Sequence, residues 1–134
     1  MIQKSLIALA MGGLAIGMTE FTMMGVLEDF AKDLHISIPK AGNFISMYAM
    51  GVMVGAPTLI MATSKYPPKK VLIFFMLLFT IFNGLFVVAP SYSTLMIARF
   101  MSGVPHGAFF GVGSVVASQL AKKGKEAQAI SIMF

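Results

Sequence analysis

Four long apolar runs divide this chain of 134 residues, at roughly Ser5–Leu27, Ala41–Thr63, Val71–Ala89 and Thr94–Leu120, and a fifth begins at Ala127. Short polar stretches separate them. The apolar residues come in continuous blocks and do not alternate with a period of two. Each block holds about 19 to 27 residues, enough at about 1.5 Å per residue to cross a hydrocarbon core of about 30 Å. The pattern predicts an all-α, polytopic helical membrane protein over residues 1–134, with four complete transmembrane helices and the start of a fifth. Composition agrees. Charged residues make up 11% of the chain and apolar ones 57%, whereas a soluble domain carries about 25% charged residues.

The connections differ in charge. The first, Glu28–Lys40, is mixed and mildly acidic, and the third, Pro90–Ser93, is uncharged. The second carries Lys65, Lys69 and Lys70, and the fourth Lys122, Lys123 and Lys125. Because successive loops alternate sides, seven lysines (with Lys4) stand on one side against two on the other. The positive-inside bias then places the N-terminus in the cytoplasm. The same placement accounts for the formal net charge of +5 without nucleic acid as a partner. The first run is longer than the 7–15 apolar residues of a signal peptide and contains Glu20, so it reads as a retained span. Cysteine is absent, which excludes a disulfide framework and a cysteine metal site.

Within the spans a few residues stand out. Ala98–Ser114 is apolar overall yet holds Arg99, Pro105, His106 and four glycines. On a helix, Arg99, Ser102, Gly103, His106, Phe110, Gly113 and Ser114 share one face, opposite Phe100, Met101, Val104, Ala108, Val112 and Val115. From the topology, Glu20 lies about 10 Å and Arg99 about 8 Å below the outer boundary, with Asn83 at a similar level and His106 near the midplane. Ionisable groups at that depth cost at least about 2.5–3.5 kcal/mol each, so they face a bundle interior or a wet cavity. Two roles are open for Glu20 and Arg99. They tie the first and fourth spans together as an ion pair, or they line a proton or solute path in which their separation sets the proton affinity of Glu20. His106 is either an interhelical hydrogen bond or a proton contact. Metal binding is not expected, since His35 lies in an outer connection, and no cofactor is implied.

Gly13/Gly17, Gly51/Gly55, Gly103/Gly107 and Gly107/Gly111 repeat at a spacing of four and predict smooth strips for close helix packing. Pro57 and Pro105 each remove a helical hydrogen bond and mark kinks, Pro105 freeing the Met101 carbonyl beside the His106 face. Thirteen methionines and twelve phenylalanines are mostly lipid-facing filler, and would give any cavity pliable apolar walls.

These residues carry a likeness. Gly17-Met-Thr-Glu20-Phe21, Ser37-Ile-Pro39-Lys-Ala41-Gly42, Tyr48-Ala-Met-Gly51-Val-Met-Val-Gly55-Ala-Pro57 and above all Arg99-Phe-Met-Ser-Gly103-Val-Pro105-His106-Gly107 resemble the major facilitator superfamily. Within it, the likeness is to the twelve-span bacterial drug:proton antiporters, most closely the arabinose-efflux type of sugar permease, and it covers essentially the whole chain. It implies a proton-coupled exporter in a bacterial inner membrane, with Arg99 in proton transfer and the first and fourth spans lining a central cavity. Sugar or amphipathic drug would be the substrate. The usual Gly-x-x-x-Asp-Arg-x-Gly-Arg-Arg loop is changed here to Ile60, Ser64, Lys65 and Pro68 at its key positions, and only Lys69 and Lys70 keep its basic end. A twelve-span carrier is far longer than this chain, so the sequence reads as part of the N-terminal six-helix half, inactive alone. Two other classes are a four-span small multidrug-type exporter acting as a dimer, for which Glu20 is the loose fit, and a non-transport membrane subunit clamped by Glu20 and Arg99. A hydrolytic enzyme is least favoured, for no Ser/His/Asp or metal cluster is visible.

Overall fold

The computed structural model describes residues 4–134 as helices joined by short connections: α1 (Lys4–Gly25), α2 (Leu27–Asp33), α3 (Ile38–Thr63), α4 (Pro68–Val88), α5 (Tyr92–Leu120) and α6 (Glu126–Met133). Among the described residues there is no strand. Helices α1, α3, α4 and α5 are each long and apolar enough to cross a membrane. At about 1.5 Å per residue the shortest of them, α4 with 21 residues, spans about 31 Å.

Local chemistry sets the helix ends. Ser37 caps α3, its hydroxyl accepting from the Lys40 amide, and Pro39 sits in the first turn, where a missing N–H costs nothing. Ser91 and Thr94 form a reciprocal capping box at the start of α5: Ser91 Oγ accepts from the Thr94 amide at 3.3 Å and Thr94 Oγ1 from the Ser91 amide at 3.0 Å. Ser91→Ala removes half of this box, and it is expected to cost about 1 kcal/mol, seen as a lower melting temperature in micelles.

The Glu28–Lys40 connection holds structure that its polarity did not announce. Residues 27–33 form α2, which closes in a Schellman motif: the His35 amide donates to Lys32 at 3.0 Å and the Ile36 amide to Ala31 at 3.0 Å. His35 is the left-handed residue this motif needs, with φ 53°. Phe30 then drops onto Phe44 of α3 (ring centroids 5.3 Å apart) and Phe86 of α4 (5.8 Å), pinning α2 against the ends of the long helices.

α5 is the central helix. Of its apolar window 39% is buried, against 22–28% in the other three long helices. Both of its faces are occupied. The glycines Gly103, Gly107 and Gly111 meet α3, while Ala108, Phe109 and Ala117 enter a core shared with Leu6 and Leu9 of α1 and Val71, Leu72, Phe75 and Phe79 of α4. The α3–α5 contact is glycine-made and parallel. A Cβ on Gly51 would run into the Phe100 carbonyl, one on Gly55 into Val104, one on Gly103 into the Tyr48 carbonyl, and one on Gly107 into Val52. Positions rise together on the two helices, so they run in the same direction at backbone contact. α6 packs on α1 and α5 through Met133, whose carbonyl abuts Gly13 and whose sulfur abuts Gly113. Gly17 departs from the strip expected of it. Nothing lies within 4 Å of a Cβ placed there, and it borders an open groove of ≈ 480 Å³ with Gly13, Phe21 and Phe134. Pro57 and Pro105 both lie inside continuous helices, Pro57 exposed and Pro105 buried.

Candidate functional site

The polar residues of the long helices meet where α1, α3 and α5 face one another. Glu20 comes from α1, Tyr48 from α3, and Arg99 and His106 from α5, two turns apart on one face. The close glycine contact of α3 with α5 brings Tyr48 into this group, since Tyr48 shares the α3 face of Gly51 and Gly55 and its carbonyl abuts Gly103. The Tyr48 hydroxyl lies 2.9 Å from His106 Nδ1, and the two rings pack edge to face at 5.5 Å. The same Nδ1 is 4.0 Å from Glu20 Oε2, with the histidine side chain 14% exposed and the carboxylate 40%. Phe110 closes one side, its ring 5.1 Å from the imidazole, and Phe134 stacks beyond it at 4.6 Å.

Arg99 is 2% exposed and, among the described residues, has no carboxylate within 4.0 Å. Its guanidinium instead lies over the Tyr48 ring at 4.3 Å and the Phe86 ring at 5.6 Å. Its Nε is buried without a hydrogen-bond partner. Aromatic faces carry negative charge density, worth about 2 kcal/mol or more to a desolvated cation. This compensates the guanidinium in part and leaves it short of hydrogen-bond acceptors.

The direct Glu20–Arg99 ion pair, one of the two roles open for these residues, is not among the contacts of the described residues. Among the described residues the ion pairs within 4.0 Å are Lys32–Asp29 and His106–Glu20. The reason is geometric: Tyr48 reaches between, offering its ring to Arg99 and its hydroxyl to His106. Other polar residues turn back onto their own helices. Asn83 donates to the Phe79 carbonyl at 2.8 Å and Ser102, fully buried, to the Arg99 carbonyl at 2.9 Å, so the hydrogen bonds of both stay within their helices. Lys65 is exposed in the α3–α4 connection, and Lys69 and Lys70 are exposed in the first turn of α4, at its opposite end from Phe86. Among the described residues no three His, Cys, Asp or Glu side chains converge as metal ligands.

Two members escaped the sequence reading. Tyr48 is an ordinary aromatic in an apolar run, and its signal was its place one turn before Gly51 on the glycine face. Phe86 had no signal, being one of many phenylalanines in α4.

Long apolar helices that enclose a buried cation and an imidazole–carboxylate contact define a multi-pass membrane protein with a polar interior. The chain belongs to the Major Facilitator Superfamily, whose family model matches residues 9–134. It is 48% identical over 133 residues to the inner membrane transport protein YdhP of Escherichia coli (strain K12), covering 99% of this chain and 34% of YdhP. AraJ of the same organism is 46% identical over 132 residues, with 98% of this chain and 34% of AraJ covered. YtbD of Bacillus subtilis (strain 168), an uncharacterized MFS-type transporter, is 42% identical over 130 residues, with 97% of this chain and 33% of YtbD covered. The chain thus spans about one third of the length of the curated relatives it matches. No solved structure matches it significantly. Membership in this superfamily sets aside the four-span small multidrug exporter.

Proposed function

We propose that this chain forms part of a proton-coupled secondary transporter that exports a small organic solute, a sugar or an amphipathic drug, by alternating access across a bacterial inner membrane. The observation that carries this reading is the titratable contact of Glu20 with His106, set beside the buried and incompletely compensated Arg99. Ionisable residues at membrane depth mark solute and proton paths by default, and superfamily carriers move solutes by rocking two halves about a midplane site. In this reading Glu20, Arg99 and His106 serve proton coupling, Phe110 is a cavity wall, and the lysine-rich connections keep the N-terminus cytoplasmic. The chain by itself supplies only one wall of such a site.

Two measurements test this. In inverted vesicles holding the full-length carrier, Glu20→Gln is expected to abolish proton-driven flux while solute exchange without a gradient persists. Reconstituted alone in liposomes, the 134-residue chain is expected to move no solute against a proton gradient, and uptake by it would overturn the reading that it is one part of the carrier. If Glu20→Gln instead lowers the melting temperature and spares coupled flux, the cluster is a structural clamp.

A further inference from the structure

Tyr48 belongs to the cluster by geometry, although no role has been assigned to it. We propose that Tyr48 is the positioning residue of the coupling site and that His106 Nδ1 changes partner with its protonation, from Tyr48 when neutral to Glu20 when charged. The inference rests on the transport reading only for its functional consequence; the partner exchange stands on distances alone.

A neutral imidazole has one bare nitrogen, and its other nitrogen carries the proton. The Tyr48 hydroxyl at 2.9 Å donates into Nδ1 when that nitrogen is bare, which places the proton on Nε2. On protonation Nδ1 becomes a donor and no longer accepts from Tyr48. Glu20 Oε2, 4.0 Å away, is then the stronger partner, because a charge-assisted hydrogen bond is about twice as strong as a neutral one and closes to about 2.8 Å. The exchange swaps a tie between α3 and α5 for one between α1 and α5. α1 has room for that small approach, since it packs sparsely on α3 and Gly17 faces the open groove.

The other elements packed here add no competing acid. α4 presents the uncharged Phe86 ring. On α6 the acidic residue is Glu126, fully exposed, its carboxylate accepting from the Gly124 amide at 3.1 Å. Arg99 is the remaining charge, and it is held on the Tyr48 ring. Tyr48 therefore joins the two α5 groups: release of its hydroxyl by His106 frees the ring that carries the guanidinium.

The test is nitrogen NMR of the chain in lipid nanodiscs with 15N-labelled histidine. The two histidines are told apart with His35→Asn, which changes an exposed side chain and keeps a residue that tolerates the left-handed backbone there. Near neutral pH, His106 is expected to show a single tautomer with the proton on Nε2. Tyr48→Phe, which removes one hydroxyl, is expected to lose that preference and give mixed tautomers. Glu20→Gln is expected to keep the neutral tautomer and to lose the strong Nδ1 hydrogen bond seen on acidification. A wild-type proton on Nδ1, or a tautomer unmoved in Tyr48→Phe, overturns the exchange. Since that tautomer is read with Tyr48 in place, a misfolded Tyr48→Phe leaves the test intact. In the full-length carrier, Tyr48→Phe is expected to weaken proton-driven flux more than gradient-free exchange. Coupled flux unchanged in Tyr48→Phe but lost in Glu20→Gln overturns the positioning role and leaves the transport reading standing.

Discussion

Gly103→Ala is expected to destabilise the chain by about 3 kcal/mol or more, a loss visible as a fall of many degrees in melting temperature in micelles. An extra methyl group in a packed interior costs about 1–3 kcal/mol when side chains can shift to receive it. Here the obstacle is main chain. A Cβ on Gly103 would lie against the Tyr48 carbonyl, and 3.1 Å from the Val52 amide nitrogen. Neither can move without parting α3 from α5, so the whole glycine contact through Gly51, Gly55 and Gly107 loosens at once. Gly84→Ala and Gly17→Ala are the controls. Nothing lies within 4 Å of either new methyl group, so both are expected to melt like the wild type or slightly above it. If Gly103→Ala melts with the controls, the close parallel pairing of α3 and α5 is wrong.

That contrast also separates what was readable in the chain from what was not. The spacing of four in Gly103/Gly107 and Gly51/Gly55 marks smooth helix faces, and their mutual contact follows from it. The same spacing in Gly13/Gly17 was equally regular, yet only Gly13 meets another helix. Spacing defines a face and does not say which neighbour covers it. The long apolar runs announced α1, α3, α4 and α5 because lipid-spanning helices need continuous hydrophobicity. α2 was hidden in a polar connection, since seven residues held by Phe30 and a left-handed His35 leave no periodic trace. The site was half legible. Depth along the spans placed Glu20, Arg99 and Asn83 at one level and His106 nearer the midplane, because polar groups in an apolar run are conspicuous. Depth says nothing of rotation about the helix axis, and rotation decided the pairing. With Tyr48 interposed, Glu20 meets His106, and Arg99 rests on rings.

Arg99 itself yields the second large effect. Arg99→Met is expected to cut proton-driven flux in the full-length carrier by two orders of magnitude or more while leaving the protein as stable as before or more so. The two halves of this outcome have one cause. A buried guanidinium with an unpartnered Nε and no carboxylate within 4.0 Å among the described residues carries a desolvation cost that aromatic faces offset only in part. A methionine of similar length removes that cost and packs between Tyr48 and Phe86 through its sulfur, much as replacing buried charges with well-packed apolar side chains is often neutral or stabilising. A residue kept for stability would show the opposite sign. Arg99→Lys sharpens the test, because it retains the charge but not the planar group that lies 4.3 Å over the Tyr48 ring. If charge alone served coupling, lysine would restore flux. If the stacked guanidinium transmits the state of Tyr48, lysine is expected to recover less than a tenth of it and to perturb the His106 tautomer as well. Loss of flux accompanied by a collapse in melting temperature for Arg99→Met would instead identify Arg99 as part of the scaffold.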